Sequence, residues 1–142
     1  MKEILGDLWS FRGKAVLAIT TGGKVDCQGR GMMLRGCARQ ARDLFPGLEE
    51  RLGAHLLQHG NHVGLIDEGV IAFPVAEDPW SWPEPALIRR SADELSALAD
   101  RIGWAKVILP RPGCGTGGLL WHEVKPLLLP RLDDRFWVIA PE

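Results

Sequence analysis

A glycine-rich segment between an apolar strand and a helix start constrains the fold of this chain more than any other feature. The segment runs from Leu109 to Trp121 and holds four glycines within the six residues Gly113–Gly118. Glycine permits positive φ and a close approach to the backbone, and a helix N-terminus carries a partial positive charge. Free amides in such a loop predict a site for a phosphate-bearing ligand. The alternative is a tight turn that needs only flexibility, although two glycines would suffice for that.

Alternating strand and helix patterns place this loop in an α/β fold. The apolar run Ala15–Thr20 is typical of a strand that is covered on both faces. Further strands are predicted over Lys2–Leu8, Asn61–Leu65, Val70–Phe73, Lys106–Leu109 and Arg135–Ala140, with a hairpin turn at Asp67–Gly69. Helices are predicted over Leu34–Phe45, Leu48–Gln58, Pro85–Ile102 and Leu119–Leu129. This order indicates helical layers around a mixed sheet, in one domain that covers residues 1–142.

A second glycine-containing break, Thr21–Gly23, follows the strand Ala15–Thr20. In open α/β sheets, ligands bind outside the carboxyl ends of the strands. Because both glycine clusters follow strands, we expect them to reach one crevice.

Composition and charge narrow the class of partner. The formal net charge is −1, so the chain has no overall basic field that would attract nucleic acid. No apolar run is long enough to span a membrane, and no signal peptide is expected. Three cysteines cannot all pair within the chain, which favours a reducing compartment. We therefore expect a cytoplasmic monomer that needs no metal and no cofactor.

Two other groups of residues have competing interpretations. His55 and His59 are four residues apart on a predicted helix, which is a zinc-binding spacing, but a solvated helix face is the favoured interpretation. Trp80 and Trp82 lie among prolines in the predicted loop 76–85. They could stack on a base or a ribose, and we favour the alternative that they cover the sheet edge.

Taken together, several of these segments resemble a macro domain. They are Gly6–Leu8 after the first strand, the glycine break after the second, Arg35–Ala38 at a helix start, and Pro110–Trp121. The resemblance covers nearly the whole chain in order. Within the family, the chain is similar to the compact branch of terminal ADP-ribose glycohydrolases that includes the antitoxin DarG. It implies a three-layer α/β/α fold with a mixed central sheet. It also implies binding of ADP-ribose, which some members remove from protein or nucleic acid.

The resemblance further implies a role for individual residues. Asp7 would accept a hydrogen bond from the adenine amino group, unless it is only a surface acid or a helix cap. Gly113–Gly118 would wrap the diphosphate and the distal ribose, and Arg35–Cys37 would present a second helix N-terminus. Gly115 and Gly117 are expected to serve ligand binding rather than folding. The expected ligand-binding residues are Asp7, Leu8, Thr20, Thr21, Gly22, Arg35, Gly36, Cys37, Pro112, Gly113, Cys114, Gly115, Thr116, Gly117, Gly118 and Leu119.

The chain departs from the family pattern at several positions. Gly22 and Leu34 stand where the family often has Asn and Gly. The glycohydrolase branch has a lysine shortly after Phe73-Pro74 and an acid in the glycine loop, and here both are missing. Glu77, Asp78 or a phosphate-bound water could substitute for them.

These departures leave the function open among several classes. The first is an ADP-ribosyl hydrolase acting on protein or nucleic acid. The second is a non-catalytic ADP-ribose reader, and the third is an ADP-ribose 1''-phosphate phosphatase-like enzyme. Another nucleotide-phosphate binder on the same fold is the fourth.

Overall fold

A six-stranded sheet with the strand order β1-β6-β5-β2-β4-β3 forms the middle layer of the protein. The computed structural model describes residues 1–142. The strands are β1 (Lys2–Leu5), β2 (Val16–Gly22), β3 (Gly64–Asp67), β4 (Val70–Ala76), β5 (Val107–Pro110) and β6 (Phe136–Ala140). β3 is antiparallel to β4, and every other neighbouring pair is parallel. The carboxyl ends of β1, β6, β5, β2 and β4 therefore share one edge of the sheet.

Four α-helices and one short 3-10 helix flank this sheet. They are the 3-10 helix Leu8–Phe11, α1 (Gly36–Leu44), α2 (Leu48–His59), α3 (Pro85–Ile102) and α4 (Trp121–Leu128). Local residues explain the ends of the longest helix, since Pro85 occupies its first turn and Gly103 ends it with a φ of 89°. No helix is long and apolar enough to cross a membrane.

The helices pack on both faces of the sheet and form two main cores. On one face, Ile19 and Ala72 of the sheet pack with Ala41 of α1 and Leu52 of α2. On the other face, the core joins the sheet to α3 and α4 through a larger apolar set that includes Ala18, Phe73, Leu95, Val124 and Phe136. Full burial of each large apolar side chain stabilises the fold by roughly 1.5–3 kcal/mol. The predicted α/β/α layering with a mixed sheet is confirmed.

Some boundaries differ from the sequence-based prediction. The strand predicted over Lys2–Leu8 ends at Leu5, because Gly6 has a φ of 148° and Asp7 caps the 3-10 helix. The helix predicted from Leu119 begins at Trp121, since the Leu119 amide donates to the Gly113 carbonyl and stays in the loop. The hairpin turn at Asp67–Gly69 joins β3 to β4, as predicted.

Candidate functional site

A cavity of about 520 Å³ opens at the shared carboxyl edge of the sheet. Its walls come from the end of β2, the start of α1, the loop after β4 and the glycine loop after β5. Residues of the two glycine clusters, Thr21–Gly22 and Gly113–Gly117, both line it. The prediction that the two clusters reach one crevice is therefore confirmed.

The glycine loop leaves a set of amides without partners in the protein backbone. The Leu119 amide closes the loop by donating to the Gly113 carbonyl over 3.0 Å. Gly115, Thr116 and Gly117 line the cavity, and their amides donate to no backbone carbonyl. Unsatisfied amides at such a loop favour an anionic ligand.

The first turn of α1 supplies a second set of amides. Arg35 is the extended residue before this helix, and no side chain caps the helix. The first-turn amides of α1 therefore lack partners within the helix. Gly36, whose φ is 59°, lies so close to the glycine loop that a Cβ there would be 2.8 Å from Thr116 Oγ1. The start of α1 and the glycine loop thus lie against each other in the wall of the cavity.

Thr21, at the end of β2, carries a buried hydroxyl with no partner. The residue is only 4% exposed, it lines the cavity, and its Oγ1 has no hydrogen-bond partner. Burial of an unpaired hydroxyl costs about 1–3 kcal/mol. The register between β2 and β4 shifts between Thr21 and Gly22, so the strand is irregular at this point. The hydroxyl oxygen itself is enclosed by protein, so other atoms of Thr21 form its part of the cavity wall.

Cys37 lies in the first turn of α1, against the end of β2. Burial raises the pKa of its thiol to about 11, although hydrogen bonds involving Thr20 act in the opposite direction. The thiol is therefore protonated at neutral pH and is not an activated nucleophile.

The loop after β4 forms one side of the cavity, a side that sequence reasoning considered for a substitute acid and for stacking by Trp80 or Trp82. Asp78, Pro79, Ser81 and Pro83 line the cavity there. Asp78 Oδ1 accepts hydrogen bonds of 2.8 Å from the amides of Trp80 and Ser81. These bonds, that of Trp80 foremost, lower the pKa of the Asp78 carboxyl.

The guanidinium of Arg35 donates to the Pro79 carbonyl and ties this loop to α1. The position of this loop could have been inferred from the sequence, since the loop follows a strand that neighbours β2. The turn geometry of the loop could not have been inferred in this way.

A second cavity of about 560 Å³ lies at the ends of β1 and β6. Asp7 and Leu8 line it, and Asp7 Oδ1 accepts a hydrogen bond of 3.1 Å from the Trp9 amide, which caps the 3-10 helix. Trp9 also anchors this helix, because its Nε1 donates to Gln40 Oε1 over 2.9 Å. The two cavities share the wall residues Cys37, Gln40, Pro110, Ile139, Ala140 and Pro141 and are therefore adjoining parts of one crevice.

The structure distributes the expected ligand-binding residues over three places. The first cavity is lined by Thr20, Thr21, Gly22, Arg35, Gly36, Cys37, Gly113, Cys114, Gly115, Thr116 and Gly117. Asp7 and Leu8 line the second. The other three, Pro112, Gly118 and Leu119, line neither and instead shape the loop. Pro112, for example, accepts a hydrogen bond from Cys114 Sγ at 3.6 Å.

Two expectations about this region are wrong. Gly117 is required by the fold, since a Cβ there would lie 2.6 Å from both the Gly113 oxygen and Pro83 Cγ. Gly115 differs, because its Cβ would meet nothing within 4 Å. Trp80 and Trp82 do not cover the sheet edge, since they are 68% and 77% exposed.

Of the two histidines considered for zinc, His55 contacts His62, a further histidine that follows the same helix. His55 Nε2 lies 2.7 Å from the His62 carbonyl oxygen, and His62 Nδ1 lies 2.7 Å from Glu94 Oε2. These contacts join α2 to the segment before β3 and to α3.

This arrangement of layers, strand order and glycine loop is the macro-domain fold, as comparison with solved structures shows. The macro domain of Thermus aquaticus DarG matches with a TM-score of 0.73 and 20% identity, over 99% of this chain and 97% of that chain. The macro domain of Mycobacterium tuberculosis DarG matches with a TM-score of 0.74 and 23% identity, over the whole of both chains. The predicted resemblance to DarG-like macro domains is thus confirmed for the fold.

A third solved structure is Thermosipho africanus DarTG in complex with ADP-ribose. It matches with a TM-score of 0.75 and 19% identity, over 99% of this chain and 42% of that chain. Neither a protein-family model nor a curated protein matches the chain.

Proposed function

We propose that the chain binds ADP-ribose, free or attached to protein or nucleic acid, in the crevice formed by the two cavities. The observation that carries this proposal is that two stretches with unsatisfied amides, the glycine loop and the first turn of α1, lie side by side in the wall of the first cavity. A diphosphate suits two neighbouring groups of amide donors. The crevice extends from there into the second cavity, which leaves room for a substituent of the diphosphate.

The two ends of the crevice differ in chemistry, and this gives the ligand a direction. The second cavity has apolar walls from Leu8 and Ile139 beside the Asp7 carboxylate, which suits adenine and its amino group. The end near Thr21 carries hydroxyl and carboxylate groups, which suit a ribose. The complex of Thermosipho africanus DarTG with ADP-ribose supports the choice of ligand.

Calorimetry with ADP-ribose, ADP, AMP and NAD tests this proposal. We expect a dissociation constant on the order of micromolar for ADP-ribose. AMP should bind much more weakly, because it lacks the second phosphate and the distal ribose. Equal affinities for AMP and ADP-ribose would refute the assignment of the glycine loop to the diphosphate.

Hydrolysis of ADP-ribosyl bonds is the second candidate function. Ala76 and the pair Thr116-Gly117 stand where the resembled branch has its lysine and acid, which favours binding without turnover. The observation in favour of hydrolysis is the Asp78 carboxylate in the cavity wall, where it could orient an attacking water. Release of ADP-ribose from modified DNA or protein, or of phosphate from ADP-ribose 1''-phosphate, would establish an enzyme.

We further propose that the working form is a cytoplasmic monomer. The three cysteines are free thiols, which suits a reducing compartment. Light scattering of the purified chain, with and without ADP-ribose, tests the monomer.

A further inference from the structure

We propose that Asp78 selects the ligand by accepting hydrogen bonds from the hydroxyls of its distal ribose. This inference rests on the proposed function and deepens it, because it names the residue that distinguishes a sugar from a phosphate at that end of the crevice.

The loop after β4 holds the Asp78 side chain in a fixed orientation. Oδ1 accepts both the Trp80 and the Ser81 amide at 2.8 Å, and a hydrogen bond from the Ser81 side chain also lowers the pKa of the carboxyl. These contacts anchor the side chain to its own loop, and a carboxylate, with about four acceptor positions, keeps accepting capacity beyond them. Since Asp78 lines the cavity, this capacity is available to a ligand.

Asp78 lies beside the end of β2, close to the glycine that ends the strand. An ideal Cβ on Gly22 would lie 3.8 Å from Asp78 Cα, so no side chain stands between the strand end and the aspartate. A vicinal diol that occupied this place would offer two hydroxyl donors to the carboxylate.

The charge of Asp78 argues for a sugar and against a phosphate. A carboxylate that accepts hydroxyl protons forms charge-assisted hydrogen bonds, which are the stronger kind. The same carboxylate repels an anion at close range, and nearby Lys24 offsets this only partly because it is exposed. The side chain thereby favours ADP-ribose over a nucleoside triphosphate, whose third phosphate would reach the same end.

The substitution Asp78→Asn separates these effects. Asparagine keeps a side-chain oxygen for the Trp80 and Ser81 amides, but it has no second oxygen and no charge. Calorimetry should show that the variant binds ADP-ribose about tenfold more weakly. Its affinity for ADP should stay the same, and its affinity for ATP should rise severalfold.

Glu84→Gln is the matched control. It removes the same charge at the far end of the same loop, from an exposed side chain that lines neither cavity. It should leave all three affinities within about twofold. Should Asp78→Asn unfold, Asp78→Ser retains a capping oxygen and replaces it in the same titrations.

The outcomes distinguish a failure of the proposed function from a failure of the Asp78–ribose contact. A wild-type chain that does not bind ADP-ribose refutes the proposed function itself. Suppose that the wild type binds ADP-ribose and that the Asp78→Asn variant keeps the full preference for ADP-ribose over ADP. This result refutes only the ribose contact. Equal weakening of ADP-ribose and ADP also refutes it. If Asp78→Asn abolishes turnover of an ADP-ribosylated substrate with unchanged affinity, Asp78 is catalytic rather than selective.

Discussion

The two ends of the crevice are built in different ways. The end proposed for the nucleoside, called here the nucleoside end, rests on the sheet itself, because Leu8 and Ile139 pack into a core with Leu17 and Ile108. The end proposed for the distal ribose, called here the ribose end, rests on the loop after β4, which carries Asp78 and the exposed Trp80 and is tied by hydrogen bonds to Asp78. Changes at the first end therefore affect stability as well as binding, whereas the second end can change its selectivity with little effect on the fold.

The largest expected effect on ligand affinity concerns the glycine loop, which we propose binds the diphosphate between the two ends of the crevice. Gly115→Phe should reduce the affinity for ADP-ribose by about 100-fold, because the ring would fill the space in front of the free amides. The melting temperature should change little, since a Cβ at Gly115 meets nothing within 4 Å and its φ is not positive.

Gly117→Ala serves as the contrasting variant for Gly115→Phe. Its Cβ would lie 2.6 Å from the Gly113 oxygen, so it should destabilise the fold by about 1–3 kcal/mol. Calorimetry and thermal unfolding of both variants check this pair. Normal ADP-ribose binding by Gly115→Phe would show that the ligand does not use these amides.

At the nucleoside end, Asp7→Asn should weaken ADP-ribose, ADP and AMP alike, by about 10-fold or more. The reason is the loss of a charged acceptor for the adenine amino group, worth about 1.5–3 kcal/mol. Asparagine still accepts from the Trp9 amide, so the cap of the 3-10 helix survives. Calorimetry with the three ligands is the measurement.

The affinities of the two variants for the three ligands distinguish the two ends of the crevice. Asp7→Asn should affect every adenine ligand, whereas Asp78→Asn should weaken ADP-ribose only. If Asp7→Asn left AMP binding unchanged while weakening ADP-ribose, adenine would not occupy the second cavity.

The two ends also differ in how far the sequence predicted them. The alternation of apolar strands with amphipathic helices, together with the glycines at 113–118, predicted the layers and the central anion site. These signals are local in sequence, and the parallel sheet then brings the strand ends together. Asp7 and Leu8 were expected at the site through resemblance alone.

The wall after β4 could not be predicted in the same way. Its form depends on the contacts of Asp78 with amides two and three residues further along the chain. It also depends on the link from Arg35 to the Pro79 carbonyl, and these two residues are 44 positions apart. The exposure of Trp80 and Trp82 likewise depends on how this loop turns, not on their apolar character.

A smaller effect concerns Cys37, at the boundary between the two ends. Because burial raises the pKa of its thiol to about 11, the unfolded chain loses this proton at a lower pH than the folded chain does. This contribution to stability is complete below the unfolded pKa, near 8.5–9, and is lost as the pH rises toward 11. The loss cannot exceed about 1.4 kcal/mol per pH unit.

Urea unfolding at pH 8, 9 and 10, compared with Cys37→Ala, measures this difference. The chain has no tyrosine to titrate in the same range, and the lysines titrate in both proteins. The gap in stability between wild type and variant should narrow with rising pH. A constant gap would show that the thiol is not shielded from water.

The smallest expected effect concerns the exposed rim of the ribose end. The double variant Trp80→Ala/Trp82→Ala should bind free ADP-ribose within about twofold of wild type, because neither ring lines a cavity and both are largely exposed. Aromatic rings at a rim can instead stack on a group attached to the ligand, which is worth about 1–3 kcal/mol for a nucleobase.

Titrations should therefore compare free ADP-ribose with an ADP-ribosylated oligonucleotide and an ADP-ribosylated peptide. Leu57→Ala, at a 70% exposed position of α2 outside both cavities, is the control. A severalfold loss of affinity for the oligonucleotide alone would show that the tryptophans contact a nucleic acid attached to the ADP-ribose. A similar loss of affinity for free ADP-ribose would show that the tryptophans contact ADP-ribose itself.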